Sequence, residues 1–202
     1  MATGDLTGRT VELLQALIRN ACVNDGTPES GQEVRNADLL QSYLEGSGLA
    51  IQRYEPTPGR TSLVARIEGT DPSAPSLCLM GHTDVVGVQR DNWSVDPFAA
   101  VTRDGYVYGR GALDDKDNAT AALMLMLMLK RAEVELDRDV IFLAEAGEEG
   151  TTRWGIDFMV EQHWDKIAAE YCLAEGGGAV AKDGNVTHVN VATTEKFPMR
   201  VT

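Results

Sequence analysis

The sequence has few basic residues for its length. Eighteen lysines and arginines stand against 31 aspartates and glutamates, so the 202 residues carry a formal net charge of −13. Nucleic acids and anionic membrane surfaces would repel such a chain, which excludes them as its main partners. The longest apolar run, Ala121 to Leu129, is far shorter than the roughly 20 residues that a membrane-spanning helix needs.

Cysteines are also scarce, and none of them forms a C-x-x-C pair. Cys22, Cys78 and Cys172 lie far apart and are odd in number. The first residues lack the basic stretch and apolar run of a signal peptide. We therefore expect reduced thiols in a cytoplasmic protein.

What the sequence does have is an alternation of amphipathic segments and short apolar segments. The spacing predicts helices over residues 10–21, 32–44, 119–131 and 155–163, with Asp117 and Asn118 as the N-cap of the third. It predicts strands over residues 51–54, 62–67, 77–80, 140–144, 171–174 and 187–193, and a short one around Tyr106. This alternation predicts an α/β fold with a mostly parallel sheet flanked by helices.

Acidic residues and one histidine follow three of the predicted strands. His82 and Asp84 come after residues 77–80, Glu148 and Glu149 after residues 140–144, and Glu175 after residues 171–174. The carboxyl ends of parallel strands lie at one edge of a sheet, where ligands bind in open α/β folds. A fourth acidic segment, Gly109 to Lys116, leads from the strand around Tyr106 to the third helix and contains Asp114 and Asp115.

Crowded carboxylates repel one another, and a divalent metal ion relieves the repulsion. One imidazole with several carboxylates suits zinc or a similar first-row ion, and a carboxylate between two ions can bridge them. In the His82-x-Asp84 pattern, Asp84 would orient the imidazole. In the Glu148-Glu149 pair, one carboxylate would bind metal and the other would act as a general base. Taken alone, each feature has an ordinary alternative: a polar histidine, a solvated acidic turn and a helix-capping pair.

Four motifs, taken in order, resemble the M20 family of metallopeptidases. They are His82 to Val86, Gly109 to Lys116, Glu148 to Gly150, and Ala174 to Gly177. The resemblance runs through almost the whole chain and implies the three-layer architecture of zinc exopeptidases. It also implies a metal-dependent hydrolase that cleaves an amide bond of a small peptide or N-acyl amino acid by means of a metal-bridging water.

The resemblance further implies a role for each site residue. His82, Asp114 and Glu175 would bind one metal ion, Asp114 would bridge to a second ion held by Glu149, and Glu148 would be the general base, with Asp84 as the residue that orients His82. The ions would be zinc, with cobalt or manganese as alternatives, and no organic cofactor is implied. The family often has a cis peptide after the bridging aspartate, here between Asp114 and Asp115.

Family members take a further metal-binding histidine from a later part of the chain, beyond an inserted lid or dimerisation domain. Residues 1–202 would therefore be the N-terminal portion of the catalytic domain, without the lid and the C-terminal part, and the full-length form could be a homodimer. We expect this portion alone to bind one metal ion with moderate affinity and to turn over substrate poorly or not at all. Two alternatives remain: a non-catalytic metal-binding module, and an acidic scaffold without metal.

Overall fold

The computed structural model describes residues 6–176 and 178–190, and within them the predicted alternation of helices and strands is present. The four helices are α1 (Leu6–Arg19), α2 (Val34–Leu44), α3 (Lys116–Arg131) and α4 (Ile156–Ile167). The nine strands are β1 (Ala50–Thr57), β2 (Arg60–Ile67), β3 (Leu77–His82), β4 (Val101–Arg103), β5 (Tyr106–Tyr108), β6 (Val140–Glu145), β7 (Tyr171–Leu173), β8 (Gly178–Lys182) and β9 (Asn185–Asn190).

Five strands form the main sheet, in the order β1-β2-β6-β3-β7. The pairs β6–β3 and β3–β7 are parallel, whereas β2 is antiparallel to both of its neighbours. Four of the five strands therefore point the same way. The α/β fold with a mostly parallel sheet is confirmed, and β2 is the single reversed strand.

Alternating side chains along the strands bury both faces of this sheet. Leu63 and Phe142 pack in the larger core beneath α1, α2 and α3, while their neighbours Val64 and Ile141 pack against α4 on the opposite face. Every residue of β6 is buried, as expected for a central strand covered on both sides. Helices α1, α2 and α3 therefore cover one face of the sheet, and α4 packs against the other.

The start of α3 differs from the sequence prediction. Asp115, not Asp117 or Asn118, is the N-cap, and the helix begins at Lys116. The segment offers several capping residues in succession, so cap preference alone does not select one. Asp115 is the residue that leaves the helical region of backbone conformation, with φ of −132°.

Two further segments extend or qualify the predictions. Helix α4 continues past His163, whose backbone is non-helical, to Ile167. Strand β9 pairs with β8 in a separate hairpin and not with the main sheet. The strand predicted at residues 187–193 corresponds to β9 up to Asn190, and its residues 191–193 lie outside the described residues.

The three cysteines are free thiols. Among the described residues, no helix combines the length and the apolar character that crossing a membrane requires.

Candidate metal centre

Three neighbouring parallel strands bring the predicted site residues to one edge of the sheet. Strand β3 ends at His82, Glu148 and Glu149 follow the end of β6, and Glu175 follows the end of β7. The strands lie side by side in the order β6-β3-β7. Side chains separated by up to 93 positions in the sequence therefore meet at the carboxyl ends of the strands.

Asp114 reaches the same edge from the loop before α3. The peptide bond between Asp114 and Asp115 is cis, as the family resemblance implies. The next carboxylate, that of Asp115, accepts a hydrogen bond from the backbone N–H of His82 at 3.1 Å. This contact connects the loop directly to the end of β3.

The imidazole of His82 lies at the centre of the group. Its Nε2 lies 3.1 Å from Asp114 Oδ1, 3.5 Å from Glu175 Oε2 and 3.9 Å from Glu148 Oε2. The His82 side chain is only 2% exposed, whereas those of Asp114, Glu148 and Glu175 are 63%, 40% and 45% exposed. A buried imidazole therefore faces carboxylates that remain open to solvent.

The other imidazole nitrogen faces Asp84. His82 Nδ1 lies 3.2 Å from the backbone carbonyl oxygen of Asp84 and 3.3 Å from its Oδ1. Both atoms are hydrogen-bond acceptors, so Nδ1 donates to them, and Nε2 is the nitrogen that would bind a metal ion once it has lost its own proton. The carboxylate of Asp84 also accepts the backbone N–H groups of Glu148 and Glu149, at 3.1 and 3.0 Å.

The proximity of these groups shifts several of their pKa values. Burial alone lowers the pKa of His82, but hydrogen bonding and the charges of Asp84, Asp115 and Glu148 raise it to about 10. The pKa of Glu175 is raised to about 7. Burial is the main cause, the negative charges of Asp114, Asp115 and Glu148 add to the rise, and the charge of His82 opposes it. Burial and the charge of Asp114 likewise raise the pKa of Glu149. The carboxylates therefore repel one another, and a divalent ion would relieve this repulsion.

Two groups of side chains have the spacing that a metal ion requires. His82, Asp114 and Glu175 form one group, and His82, Glu148 and Glu149 form the other; within each group the ligand atoms lie within 4.8 Å of one another. An imidazole with carboxylates is a donor set that divalent first-row ions accept. The residues present therefore fit such an ion.

The structure brings together all six residues that the sequence singled out. The first group is the set expected for one metal ion. In the second, Glu149 is grouped with His82 and Glu148, whereas the sequence expectation paired Glu149 with a bridging Asp114. The roles of the individual side chains remain predictions.

Sequence reasoning assigned no role to two residues that support this centre. Asn24 donates a hydrogen bond to Asp84 at 2.7 Å. Lys116 is fully buried and donates to the backbone carbonyl oxygens of Leu17 and Ala21, both at 2.8 Å. Both contacts join distant parts of the chain, so no local pattern indicates them.

Comparison with known proteins gives a consistent result. The sequence model of Peptidase family M20/M25/M40 matches residues 78–201. The succinyl-diaminopimelate desuccinylase of Parvibaculum lavamentivorans is 33% identical over 81% of this chain and 41% of its own length. Aminoacylase-1 of Mus musculus is 30% identical over 83% of this chain and 40% of its own length.

A solved structure has the same fold. The M20 family metallo-carboxypeptidase Sso-CP2 from Sulfolobus solfataricus superposes with a TM-score of 0.68 at 23% identity, over 89% of this chain and 38% of that protein.

Because the family match covers more than half of the sequence and all four motifs, the chain belongs to peptidase family M20/M25/M40. It spans about 40% of the length of the two curated relatives described above.

Proposed function

We propose that this chain carries the metal-binding part of an amide hydrolase of the M20 kind. One observation carries the proposal: Nε2 of a buried, oriented imidazole faces two carboxylate groups at 3.1 and 3.5 Å. A buried histidine surrounded by acids in this way has the geometry of a ligand. An acidic scaffold without metal would not require a buried histidine in this arrangement.

The ion that suits this donor set best is zinc, with cobalt or manganese as alternatives. His82, Asp114 and Glu175 would hold it, and Asp114 and Glu149 would contribute to a second ion. A bound ion of this type supplies Lewis acidity to a carbonyl oxygen and lowers the pKa of water. Asp84 would keep the imidazole of His82 in the required tautomer and orientation.

Glu148 is the proposed general base. Its backbone N–H is fixed by Asp84, and its carboxylate is 40% exposed and lies 3.9 Å from His82 Nε2. It can therefore reach both the site and a substrate that arrives from solvent. The carboxylate would accept a proton from the attacking water and then donate it to the departing amine.

The proposed substrates are dipeptides and N-acyl amino acids. The names of two relatives support this class, because a succinyl-diaminopimelate desuccinylase and an aminoacylase are both named for acyl groups carried by amino acids. The products would be a carboxylate and an amine.

We also propose that residues 1–202 are the N-terminal portion of a larger catalytic domain. The length relative to the curated relatives supports this, and so does the edge of the sheet at β7. Tyr171 and Leu173 are 61% and 62% exposed there, which is unusual for apolar residues of a strand whose edge and faces are covered by the rest of the domain. A homodimeric full-length form is part of the same proposal.

Metal binding is the first test. The metal-free 202-residue chain is mixed with zinc, and the bound metal is measured by elemental analysis after gel filtration. We expect one ion per chain, and none after Asp114→Asn combined with His82→Ala. The matched control is Glu161→Gln, which changes an exposed carboxylate on α4 outside the site and should leave zinc binding unchanged. A chain that binds no zinc would exclude the proposal.

Hydrolysis is measured on the complete reading frame that contains these residues, with N-acetyl amino acids and dipeptides as substrates. Replacing the general base by Glu148→Gln should lower kcat by a factor of about 10² to 10⁴ and leave bound zinc unchanged. Retained activity would refute the role of Glu148. Zinc binding without hydrolysis in the parent protein would favour the non-catalytic metal-binding module.

A further inference from the structure

The side chain that holds the metal centre in place is itself held by a residue far away in the sequence. Asp84 is fully buried, and its carboxylate accepts three hydrogen bonds. The donors are Asn24 Nδ2 at 2.7 Å, Glu148 N at 3.1 Å and Glu149 N at 3.0 Å, and His82 Nδ1 lies 3.3 Å from the same carboxylate. Asp84 therefore fixes both the imidazole and the turn that carries the two glutamates.

Among these donors, only Asn24 lies outside the candidate metal centre. It is 4% exposed and belongs to the loop between α1 and α2. Its backbone N–H donates to the carbonyl oxygen of Val85 at 2.9 Å. The loop is thereby attached to the segment that follows β3.

The orientation of the Asn24 amide group follows from its partners. Its Oδ1 lies 2.9 Å from the backbone N–H of Gly26 and 3.3 Å from the hydroxyl of Ser30. A backbone N–H can only donate, so the atom that faces Gly26 must be the oxygen. The amide nitrogen is then the atom that faces Asp84, where it donates the shortest of the three hydrogen bonds to the carboxylate.

The same side chain also contacts the turn that carries the glutamates. A Cβ atom added at Gly150 would lie 2.5 Å from Asn24 Oδ1, so the turn after Glu149 approaches Asn24 as closely as a glycine allows. Asn24 therefore touches both halves of the centre: Asp84 through a hydrogen bond, and the turn through packing.

We propose that Asn24 is a positioning residue of the metal centre, which fixes the carboxylate of Asp84 and through it the imidazole of His82 and the Glu148-Glu149 turn. This inference rests on the proposed metal-binding function. Asn24 does not contact the ligand atoms, and its effect is indirect. An amide suits this position because it is a neutral donor, whereas a carboxylate would place a second negative charge against Asp84.

The test compares two substitutions at Asn24 with one at another buried asparagine. Asn24→Ala removes the amide group that donates to Asp84. Asn24→Asp keeps the shape of the side chain but places a carboxylate oxygen, an acceptor, against the carboxylate of Asp84. The control is Asn36→Ala, because Asn36 is also buried and donates a 2.7 Å hydrogen bond, but to the backbone carbonyl oxygen of Thr83. Zinc affinity is measured by competition with a chromophoric chelator, and folding by circular dichroism.

A positioning role predicts zinc binding that is about 10-fold to 100-fold weaker in both Asn24 variants, as is typical when a partner of a metal ligand is removed. It also predicts that Asn24→Asp binds zinc no better than Asn24→Ala, although its shape is closer to the parent. A purely structural role predicts the reverse order and an equal loss in Asn36→Ala.

A spectroscopic measurement completes the test. In the zinc-loaded parent, the Nδ1 proton of His82 should give a protected imidazole signal in ¹⁵N–¹H NMR spectra, and this signal should weaken or shift in Asn24→Asp. If Asn24→Ala fails to fold, Asn24→Asp and this signal decide the matter. Parent-like zinc affinity in a folded Asn24→Asp would refute this inference alone, whereas a parent that binds no zinc refutes the proposed function as well.

Discussion

The buried ion pair between Glu33 and Arg60 gives the sharpest prediction of stability. Two hydrogen bonds join the side chains, from Arg60 Nε at 2.8 Å and from Nη2 at 2.9 Å, and both side chains are 0% exposed. Arg60 also donates to the carbonyl oxygen of Thr27 at 3.0 Å. Its guanidinium lies close to Gly147, where an added Cβ would be 2.8 Å from Nη2. The pair thus connects the start of α2 and the start of β2 to the turn before Glu148.

Replacing Arg60 with methionine keeps much of the volume and removes the charge. The carboxylate of Glu33 would then be buried without a partner, which costs about 3 to 5 kcal/mol of unfolding free energy. The double variant, Glu33→Gln with Arg60→Met, leaves no buried charge and should lose much less, because a matched apolar or neutral replacement of a buried pair is often close to neutral.

The control is an ion pair of equal length at the surface. Arg90 and Asp96 are also 2.8 Å apart, but their side chains are 60% and 49% exposed. Arg90→Met should cost far less than Arg60→Met, because solvent screens the attraction and solvates the remaining carboxylate.

The cost at Arg60 should depend on pH. Burial raises the pKa of Glu33, and the charge of Arg60 lowers it. Removing Arg60 raises the pKa further, so the folded variant holds a proton that the unfolded chain releases. Because burial already raises the pKa of Glu33 to about 7 in the parent, the stability of the variant falls relative to the parent as the pH rises above about 7.

Urea unfolding followed by the fluorescence of the three tryptophans measures these differences. Similar losses for Arg60→Met and Arg90→Met would refute the reasoning, because burial is the main difference between the two pairs. A loss at Arg60 that is independent of pH would refute the explanation through Glu33.

Two other predictions follow from close contacts and from charge. Gly155→Ala should destabilise the fold by about 3 kcal/mol or more, because the added Cβ would lie 1.6 Å from the carbonyl oxygen of Ala146. The control is Gly87→Ala, which should change stability by no more than about 0.5 kcal/mol because nothing lies within 4 Å of its added Cβ. Equal urea midpoints for the two variants would contradict the prediction. Zinc binding at pH 7 should release protons, because the pKa of His82 is raised to about 10 and that of Glu175 to about 7. The heat of binding, measured by calorimetry in buffers of different ionisation enthalpy, should therefore depend on the buffer. A heat of binding that is the same in every buffer would contradict this prediction.

Local sequence patterns were enough to predict most of the elements. Helix α2 ends at Leu44 as predicted, and the strand predicted at residues 140–144 is β6, because apolar spacing and chain-breaking residues act within a few positions. The position of helix starts was less certain. Cap preference allowed Asp117 as well as Asp115, and the backbone of the preceding loop selected Asp115.

By itself, the sequence determined which residues could form a metal site: His82, Asp114, Glu148, Glu149 and Glu175 follow apolar strands or precede a helix in recognisable motifs. Only the tertiary structure decided the strand order, the reversal of β2 and the contacts that support Asp84. Asn24 and Asp84 are 60 positions apart, and Glu33 and Arg60 are 27 apart. Such contacts depend on how separate elements pack, and an asparagine in a loop looks the same in the sequence whether it faces water or a buried carboxylate.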